Sequence, residues 1–352
     1  MAWVSIHGAG LVQDRRQPSR LAAFFPGYFA LVMATGIVSI GAHLHGLKLL
    51  AQVLFGLNLL FYAGLWMYTL LRFVRFRQQL LEDLTHHACG PAFLTKVAAT
   101  CILGSQFALL TPWLRIAEYL WFFGLGLWVV LSYTFFTAMI VKEPKPTLES
   151  GIHGGWLVIV VATESLCVLG ATLGPALDPG TSMLLAALLA YLLGAMLYIL
   201  LIALILYRWL FFTMTADQML PPYWINMGAL AITTLAGTRL LLAQGSWSLL
   251  RDTAPFLIGF TLFFWAAGSW WIPLLIIVGI WRHVWKRVPL KYDPLYWSLV
   301  FPLGMYAAAT WMLAQTTSIV LFRGISTVFL VFALVAWCIT LLGMVRNWNK
   351  SV

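Results

Sequence analysis

Ten long apolar segments dominate this 352-residue sequence and restrict the folds that are open to it. A membrane-spanning helix needs about 20 mostly apolar residues. Segments of that kind occupy roughly residues 25–45, 48–71, 92–111, 113–141, 152–175, 181–210, 222–243, 254–281, 295–317 and 324–345. Inside a bilayer, only helices and closed barrels satisfy all of their backbone polar groups. The sequence therefore predicts an all-α polytopic membrane protein with ten transmembrane helices.

Composition supports a membrane protein independently of these segments. Only 9% of the residues are charged and 62% are hydrophobic, whereas a soluble domain carries about a quarter charged residues. The four cysteines lack the spacing of a metal or redox site. The sequence also lacks a phosphate-binding loop, a dinucleotide-binding motif and a zinc-protease motif. We therefore predict no bound metal, no cofactor and no enzymatic activity.

A short pattern recurs in every second apolar segment. In the three clearest copies an Ala-Thr step follows a proline or glycine at nine residues: Pro26 and Thr35, Pro91 and Thr100, Gly154 and Thr163. Looser copies begin at Pro222 and Pro302, the latter with Thr310. The copies start 65, 63, 68 and 80 residues apart, which is enough for one helical hairpin each. We predict five hairpins in a quasi-fivefold arrangement around a central pore lined by the odd-numbered helices.

The basic residues predict the orientation in the membrane. With a cytoplasmic N-terminus, 16 of the 21 Lys and Arg residues lie on the cytoplasmic side, as the positive-inside rule requires. We predict a plasma (inner) membrane protein with cytoplasmic tails at 1–24 and 346–352 around a transport domain at 25–345. This topology also explains the net charge of +10. Nucleic-acid binding is not needed to explain it, because the basic residues form no stripe of the kind that binds nucleic acid.

The recurring residues are candidates for a pore. Pro26, Pro91, Pro222 and Pro302 are taken as helix-start prolines, since the first helical N–H groups lack partners anyway. Pro302 and also Pro273 lie further into their segments, where a proline is expected to kink the helix. If five helix N-termini converge at one mouth, their partial positive charges favour anions.

The mid-helix threonines have two interpretations. As pore-lining residues they would be weak polar ligands on the axis, which suits conduction. As packing residues they would bond back to the preceding turn and let helices approach closely. Both interpretations apply to Thr35, Thr100, Thr163 and Thr310.

Glu164 is the acidic residue that lies deepest in an apolar segment. A carboxyl inside the membrane is costly and marks a candidate functional site. It is either a proton-coupling residue or a protonated carboxyl bonded to a neighbouring helix. We interpret Arg239, late in the seventh segment, as a side chain that snorkels to the outer interface.

Three short runs resemble one known family: Phe25–Ala30 (FPGYFA), Cys89–Thr95 (CGPAFLT) and Trp297–Leu303 (WSLVFPL). The chain resembles the tellurite-resistance/dicarboxylate transporter family, which includes malate permeases, a sulfite exporter and the plant slow anion channels. The resemblance covers residues 24 to 345 and implies five hairpins, odd helices around a pore and a homotrimer. It also implies a phenylalanine gate in the ninth helix at Phe301, although packing beside the proline kink is the alternative. Glu164 departs from a purely apolar channel and leaves room for proton coupling.

We expect a permease for small anions, with C4-dicarboxylates such as malate as the leading substrate class. The expected partners are small inorganic or organic anions, protons and the lipid bilayer, without nucleic acid. A passive gated anion channel and an exporter of toxic oxyanions such as tellurite or sulfite are alternatives. A membrane-embedded binding or sensing protein is the alternative from a different class.

Overall fold

The computed structural model describes residues 21–178 and 180–349. Within these residues ten helices are long and apolar enough to cross a membrane, and no strand is present. They are α1 (Ala30–Leu44), α2 (Lys48–Arg75), α3 (Thr95–Leu110), α4 (Leu114–Val141), α5 (Val158–Leu177), α6 (Ser182–Phe211), α7 (Ile225–Leu242), α8 (Ala254–Ile280), α9 (Trp297–Thr317) and α10 (Leu321–Asn349). The prediction of an all-α protein with ten transmembrane helices is confirmed. Most of the predicted N-terminal tail, 1–20, lies outside the described residues, and α10 continues to Asn349.

Each odd-numbered helix begins with a short 3-10 turn. The turns are Pro26–Phe29, Gly90–Leu94, Gly154–Leu157, Pro221–Trp224 and Pro294–Tyr296. Four of the five carry a proline at the first or second position, where a missing N–H costs little. The face of the molecule at which these turns lie is called the near face, and the opposite one the far face.

One predicted helix-start proline is wrong. Pro302 lies inside α9, and the ninth segment begins at Pro294. The five starts are therefore 64, 64, 67 and 73 residues apart, more even than the sequence pattern indicated. The Phe-Pro step at Phe301-Pro302, which resembles Phe25-Pro26, drew the alignment to Pro302, although Tyr296 follows Pro294 by two residues as Tyr28 follows Pro26.

The five odd-numbered helices form a closed inner ring. α1 packs on α3, α3 on α5, α5 on α7, α7 on α9, and α9 on α1. The five 3-10 turns also contact one another in the same closed order. The helix N-termini therefore converge at the near face, as the repeat predicted.

The five even-numbered helices form an outer ring. Each packs against the odd helix that precedes it in the chain. Between 78% and 94% of the most apolar stretch of each inner span is buried, against 22% to 39% for each outer span. The outer helices therefore present their apolar side chains outward, to the lipid.

One aromatic donor from each outer helix joins it to the next inner helix. The hydrogen bonds are Tyr62 Oη to Thr100 Oγ1 at 2.9 Å, Trp128 Nε1 to Thr163 Oγ1 at 2.8 Å, Tyr198 Oη to the Asn226 carbonyl at 3.2 Å, Trp265 Nε1 to Thr310 Oγ1 at 3.0 Å and Trp337 Nε1 to Thr35 Oγ1 at 3.0 Å. The last of these runs from α10 back to α1. These contacts between outer and inner helices therefore run around the whole molecule and close on α1.

Three arginines at the ends of outer helices hold the starts of inner helices. Arg72, Arg208 and Arg282 donate from Nη1 to the carbonyls of Phe24, Ile152 and Met219 at 2.8, 2.7 and 2.8 Å. Each of those carbonyls lies two residues before a 3-10 turn. Basic residues that the sequence explained by topology alone thus also fix the two helices of a hairpin at the near face.

Candidate functional site

A narrow cavity lies on the axis of the inner ring. All five inner helices line it, and the volume open to the centre of a water molecule is about 20 Å³. About 10–15 Å³ suffices for one water. The cavity is therefore wide enough for one water molecule and too narrow for a hydrated anion in this conformation.

The lining follows a regular position in the repeat. When the helices are aligned at Pro26, Pro91, Gly154, Pro221 and Pro294, the residue eleven positions later lines the cavity in every case: Ile37, Ile102, Ser165, Ile232 and Met305. The wall is mainly aliphatic, with hydroxyl groups from Ser105, Ser165 and Thr172. Such a wall offers weak polar contacts within a mostly apolar conduit.

Arg239 is the charged residue of this lining. It lies toward the far end of α7, and the cavity wall contains no aspartate or glutamate. Its buried Nε has no hydrogen-bond partner, and neither of the ion pairs found among the described residues involves it. Arg239 is half-buried and contributes to the wall of the axial cavity, a position that its interpretation as a snorkelling residue did not include. A guanidinium without a counter-ion in a narrow cavity attracts anions.

Phe301 lies one helical turn closer to the near face than Met305, which lines the cavity. Residues four apart share a helix face. The contacts of neighbouring residues also place Phe301 on the face of α9 that points to the axis. Pro302 abuts Gly228 of α7, and Gly304 abuts Ile37 of α1. Phe301 lies between those two directions and is 1% exposed. The phenyl ring is therefore on the side of α9 that faces the ring axis, between the cavity and the near face.

The four predicted pore threonines are engaged at the junction between the rings. Each hydroxyl oxygen accepts a hydrogen bond from a tryptophan or tyrosine of the outer ring. Thr100 and Thr163 also donate to the carbonyls four residues earlier, at 2.7 and 2.8 Å. These contacts fit the packing interpretation and direct the hydroxyls toward the outer helices.

Glu164 is fully buried where α5 packs against the outer helix α6, and it does not line the cavity. Its carboxyl occupies the space left by Gly194 of α6, where a Cβ atom would collide with it. Neither carboxyl oxygen is in hydrogen-bond geometry with a described residue. The nearby Thr233 hydroxyl gives its proton to the Ala229 carbonyl at 2.9 Å. An unpaired carboxylate in such a place is costly.

Sequence reasoning missed the position of Arg239 in the cavity wall and the hydroxyl groups of Ser105, Ser165 and Thr172. The eleven-residue spacing could have found the helix face, but only from the correct start of the ninth segment at Pro294. Among the described residues no cluster of three or more His, Cys, Asp or Glu side chains could hold a metal ion.

Comparison with known proteins identifies two relatives that match nearly the whole length of the chain. Two proteins of Methanocaldococcus jannaschii, both named as uncharacterized transporters, are 26% and 27% identical over 345 and 341 residues. The alignments cover 94% and 93% of this chain and 96% and 93% of the relatives. An uncharacterized membrane protein of Mycobacterium tuberculosis is 36% identical over 151 residues, which are 43% of this chain and 76% of that protein.

The family match agrees with the closed inner ring and its axial cavity. Residues 23–345 match the SLAC1 family, described as voltage-dependent anion channel. The resemblance inferred from the three short runs is therefore confirmed, and the chain belongs to the voltage-dependent anion channel family.

Proposed function

We propose that the chain is a permease that moves small anions along the axis of the inner ring. The observation that carries this proposal is Arg239, a cation without a counter-ion in the wall of an otherwise neutral axial cavity. The converging N-termini at the near face add partial positive charge to the same path. Two relatives that span nearly the whole chain are named as transporters, which supports movement of a substrate over binding alone.

The proposed substrates are C4-dicarboxylates such as malate. One arginine meets one of the two carboxylates, and the helix N-termini attract the other on its way in. Inorganic monovalent anions and the oxyanions sulfite and tellurite need only one positive partner and are the alternative substrates. Because the cavity has room for a single water, passage of any of these requires the inner helices to move apart.

The test is flux into proteoliposomes with a panel of malate, chloride, sulfite and tellurite. We expect Arg239→Gln to reduce anion flux by roughly tenfold or more, because about 1.4 kcal/mol of lost attraction is a factor of ten. Arg239→Lys is expected to keep a larger part of the flux. The matched control is Arg115→Gln, since Arg115 is exposed on α4 and pairs with Glu118 of the same helix.

The results separate the functional classes. Flux of cations in place of anions would contradict the proposal. Absence of flux for every anion in the panel would favour a binding or sensing protein.

Phe301 is the proposed gate of this path. A single ring in an apolar conduit blocks it sterically and by excluding water. Its position one turn from Met305, on the same helix face, supports this role. The loss of an i→i−4 hydrogen bond at Pro302 gives α9 local freedom for the movement of the ring.

A second candidate mechanism is proton-coupled transport through Glu164. Two observations favour this mechanism. The Glu164 carboxyl has no hydrogen-bond partner among the described residues, and Glu164 directly precedes Ser165, which lines the cavity. We expect Glu164→Gln, which keeps the shape of the side chain, to abolish acceleration of malate uptake by an inward proton gradient while counterflow exchange continues. A mutant that still responds to the proton gradient would make Glu164 structural.

We further propose that the near face is cytoplasmic, that the protein lies in the plasma membrane and that it forms a homotrimer through the apolar outer ring. Single cysteines placed in the loops 142–150 and 282–293 are expected to react only with reagents supplied from the cytoplasm. Labelling from outside would reverse the orientation of the pore. Crosslinking and mass measurement in lipid nanodiscs test the trimer.

A further inference from the structure

A second cavity lies at the near face, away from the axis. Its volume is about 360 Å³, and it opens between the end of α6, the turn before α7, the end of α8 and the start of α9. It shares no residue with the axial cavity. Its size falls in the range of roughly 300–1,000 Å³ that is usual for sites of small molecules. Its wall is mostly apolar, from residues such as Trp209, Leu220, Leu275 and Leu299.

A partly satisfied arginine lies at the edge of this cavity. Arg282 donates to the Met219 carbonyl at 2.8 Å, but its buried Nε has no hydrogen-bond partner. No ion pair found in the described part of the chain includes Arg282. The nearby Asp293 accepts from the Leu295 amide at 2.8 Å and caps the turn before α9. An anionic group at the cavity mouth would give the guanidinium the acceptor that it lacks.

The segment next to the cavity has the composition of a membrane interface. Residues 281–291 read WRHVWKRVPLK, with four Lys or Arg residues and no acidic residue. Trp285 is 80% exposed and Leu290 is 73% exposed. Tryptophan beside clustered basic residues is typical of segments that lie among lipid headgroups. The first turn of this segment, Trp281–Trp285, is a π-helix, a distortion that is frequent at functional sites.

We propose that this cavity binds one anionic phospholipid, with an acyl chain against the apolar wall and the phosphate at Arg282, Lys286 and Arg287. An acyl chain matches the apolar lining, and the phosphate matches a basic segment without acidic residues. Basic pockets between transmembrane helices are suited to anionic headgroups. Because Arg282 also holds the carbonyl before the α7 turn, the lipid lies next to the element that leads into the helix carrying Arg239. The site stands independently of whether the chain conducts anions.

Native mass spectrometry of the full chain tests this site, with phosphatidylglycerol and phosphatidylcholine supplied at equal concentration. We expect the protein to retain one phosphatidylglycerol per protomer more strongly than phosphatidylcholine. Gly279→Phe is expected to abolish that retention, because Gly279 lines the cavity and a Cβ there meets no atom within 4 Å. Gly259→Phe is the matched control, since Gly259 lies on the same helix, away from the cavity, with the same open surroundings.

A second variant tests the headgroup contacts without filling the cavity. Lys286 and Arg287 are exposed, so the double change Lys286→Gln with Arg287→Gln should leave the fold intact. At about 1 kcal/mol for each basic residue near a membrane surface, phosphatidylglycerol binding should weaken roughly 30-fold, with no change for phosphatidylcholine. Equal retention of the two lipids, or equal retention by Gly279→Phe and Gly259→Phe, would overturn the proposal. A change of oligomeric state in Gly279→Phe with unchanged lipid retention would assign the cavity to a contact between copies of the chain.

Discussion

The inner and outer rings differ in helix length and in the surface that they bury, since the inner helices have 15 to 21 residues and the outer helices 27 to 30. In every hairpin the second helix has the higher mean hydropathy, although the first is buried and the second faces outward. This reverses the rule for soluble proteins, because here the exterior is lipid. The inner helices are buried against protein and can therefore carry small and polar residues. The outer helices must satisfy the bilayer with large apolar side chains.

The difference shows where function can reside. Thr35, Thr163, Glu164 and Thr233 are all on inner helices and are nearly or fully buried. Polar groups of the outer helices mainly serve contacts with the inner ring, as the aromatic donors and the arginines at the near face do. The inner ring thus holds the candidate path, and the outer ring holds the inner ring in place.

The sharpest test of this comparison uses two buried phenylalanines, one from each ring. Phe264 of α8 is 0% exposed and packs beside Tyr198, whereas Phe301 faces the axis at 1% exposed. Phe264→Ala should cost about 3–5 kcal/mol of stability, without anion leak. Phe301→Ala should raise anion leak and should cost less stability, because a space left on the axis next to the cavity can fill with water. Thermal unfolding in detergent and liposome flux measure the two effects.

The outcome for Phe301 separates a gate from a core residue. Loss of stability without leak would remove Phe301 from the path and assign it to packing beside Pro302. The proposal of an axial path would then depend on Arg239 alone.

The sequence predicted the helices and the ring because both follow from strong, local signals. Apolar length gives the ten spans, and the repeat that begins at Pro26 and Pro91 gives the closed inner ring. The direction of side chains was harder to predict. An Ala-Thr step has the same sequence whether its hydroxyl faces an axis or Trp337. Arg239 lies near the end of its segment, and its position along the segment does not tell whether it faces the axis or the outer helices.

Other contacts depend on loops whose lengths vary. Arg72, Arg208 and Arg282 make equivalent bonds, but they follow the starts of their hairpins by 46, 54 and 61 residues. No fixed spacing in the sequence could therefore have identified them as a set. The same variation hid the start of the ninth segment at Pro294.

Glycines give the next largest contrast between the rings. A Cβ at Gly154 would lie 2.7 Å from the Pro222 carbonyl oxygen and 2.8 Å from the Tyr223 Cα, whereas one at Gly126 of α4 meets nothing within 4 Å. Gly154→Ala should therefore cost about 1–3 kcal/mol, because backbone atoms must shift. Gly126→Ala should stabilise the outer helix by up to about 1 kcal/mol. Similar unfolding temperatures for the two variants would show that the inner turns are loosely packed.

His153, the residue before the 3-10 turn that leads into α5, predicts that the stability of the protein depends on pH. Burial, together with the nearby charge of Arg208, lowers the pKa of His153 to about 4 from its ordinary value of 6.5. The unfolded chain therefore binds a proton first as the pH falls below 6.5, and stability decreases between about pH 6.5 and 4. The expected loss is on the order of 1–3 kcal/mol.

His153→Asn is the matched variant for this measurement. The His153 Nδ1 accepts from the Gly155 amide at 3.1 Å, and asparagine can make the same N-cap bond without titrating. Unfolding followed from pH 7 to pH 4.5 should give a shallower slope for the variant. Parallel slopes would mean that other groups govern the acid response.

The smallest effect concerns the hydrogen bond from Trp337 of α10 to Thr35 of α1. Trp337→Phe removes the indole donor to Thr35 and should cost about 0.5–1.5 kcal/mol. Trp270→Phe is the control, since Trp270 is 57% exposed on α8. A double-mutant cycle of Trp337→Phe with Thr35→Val should show coupling of a similar size, because both changes break one hydrogen bond.

Anion flux in the same two variants decides the role of the Thr35 hydroxyl. If Thr35 serves only the junction of the rings, both single changes affect flux equally little. If Thr35→Val reduces flux and Trp337→Phe does not, the threonine is a ligand on the path, and the inner ring supplies hydroxyls to the anion as well as to the outer helices.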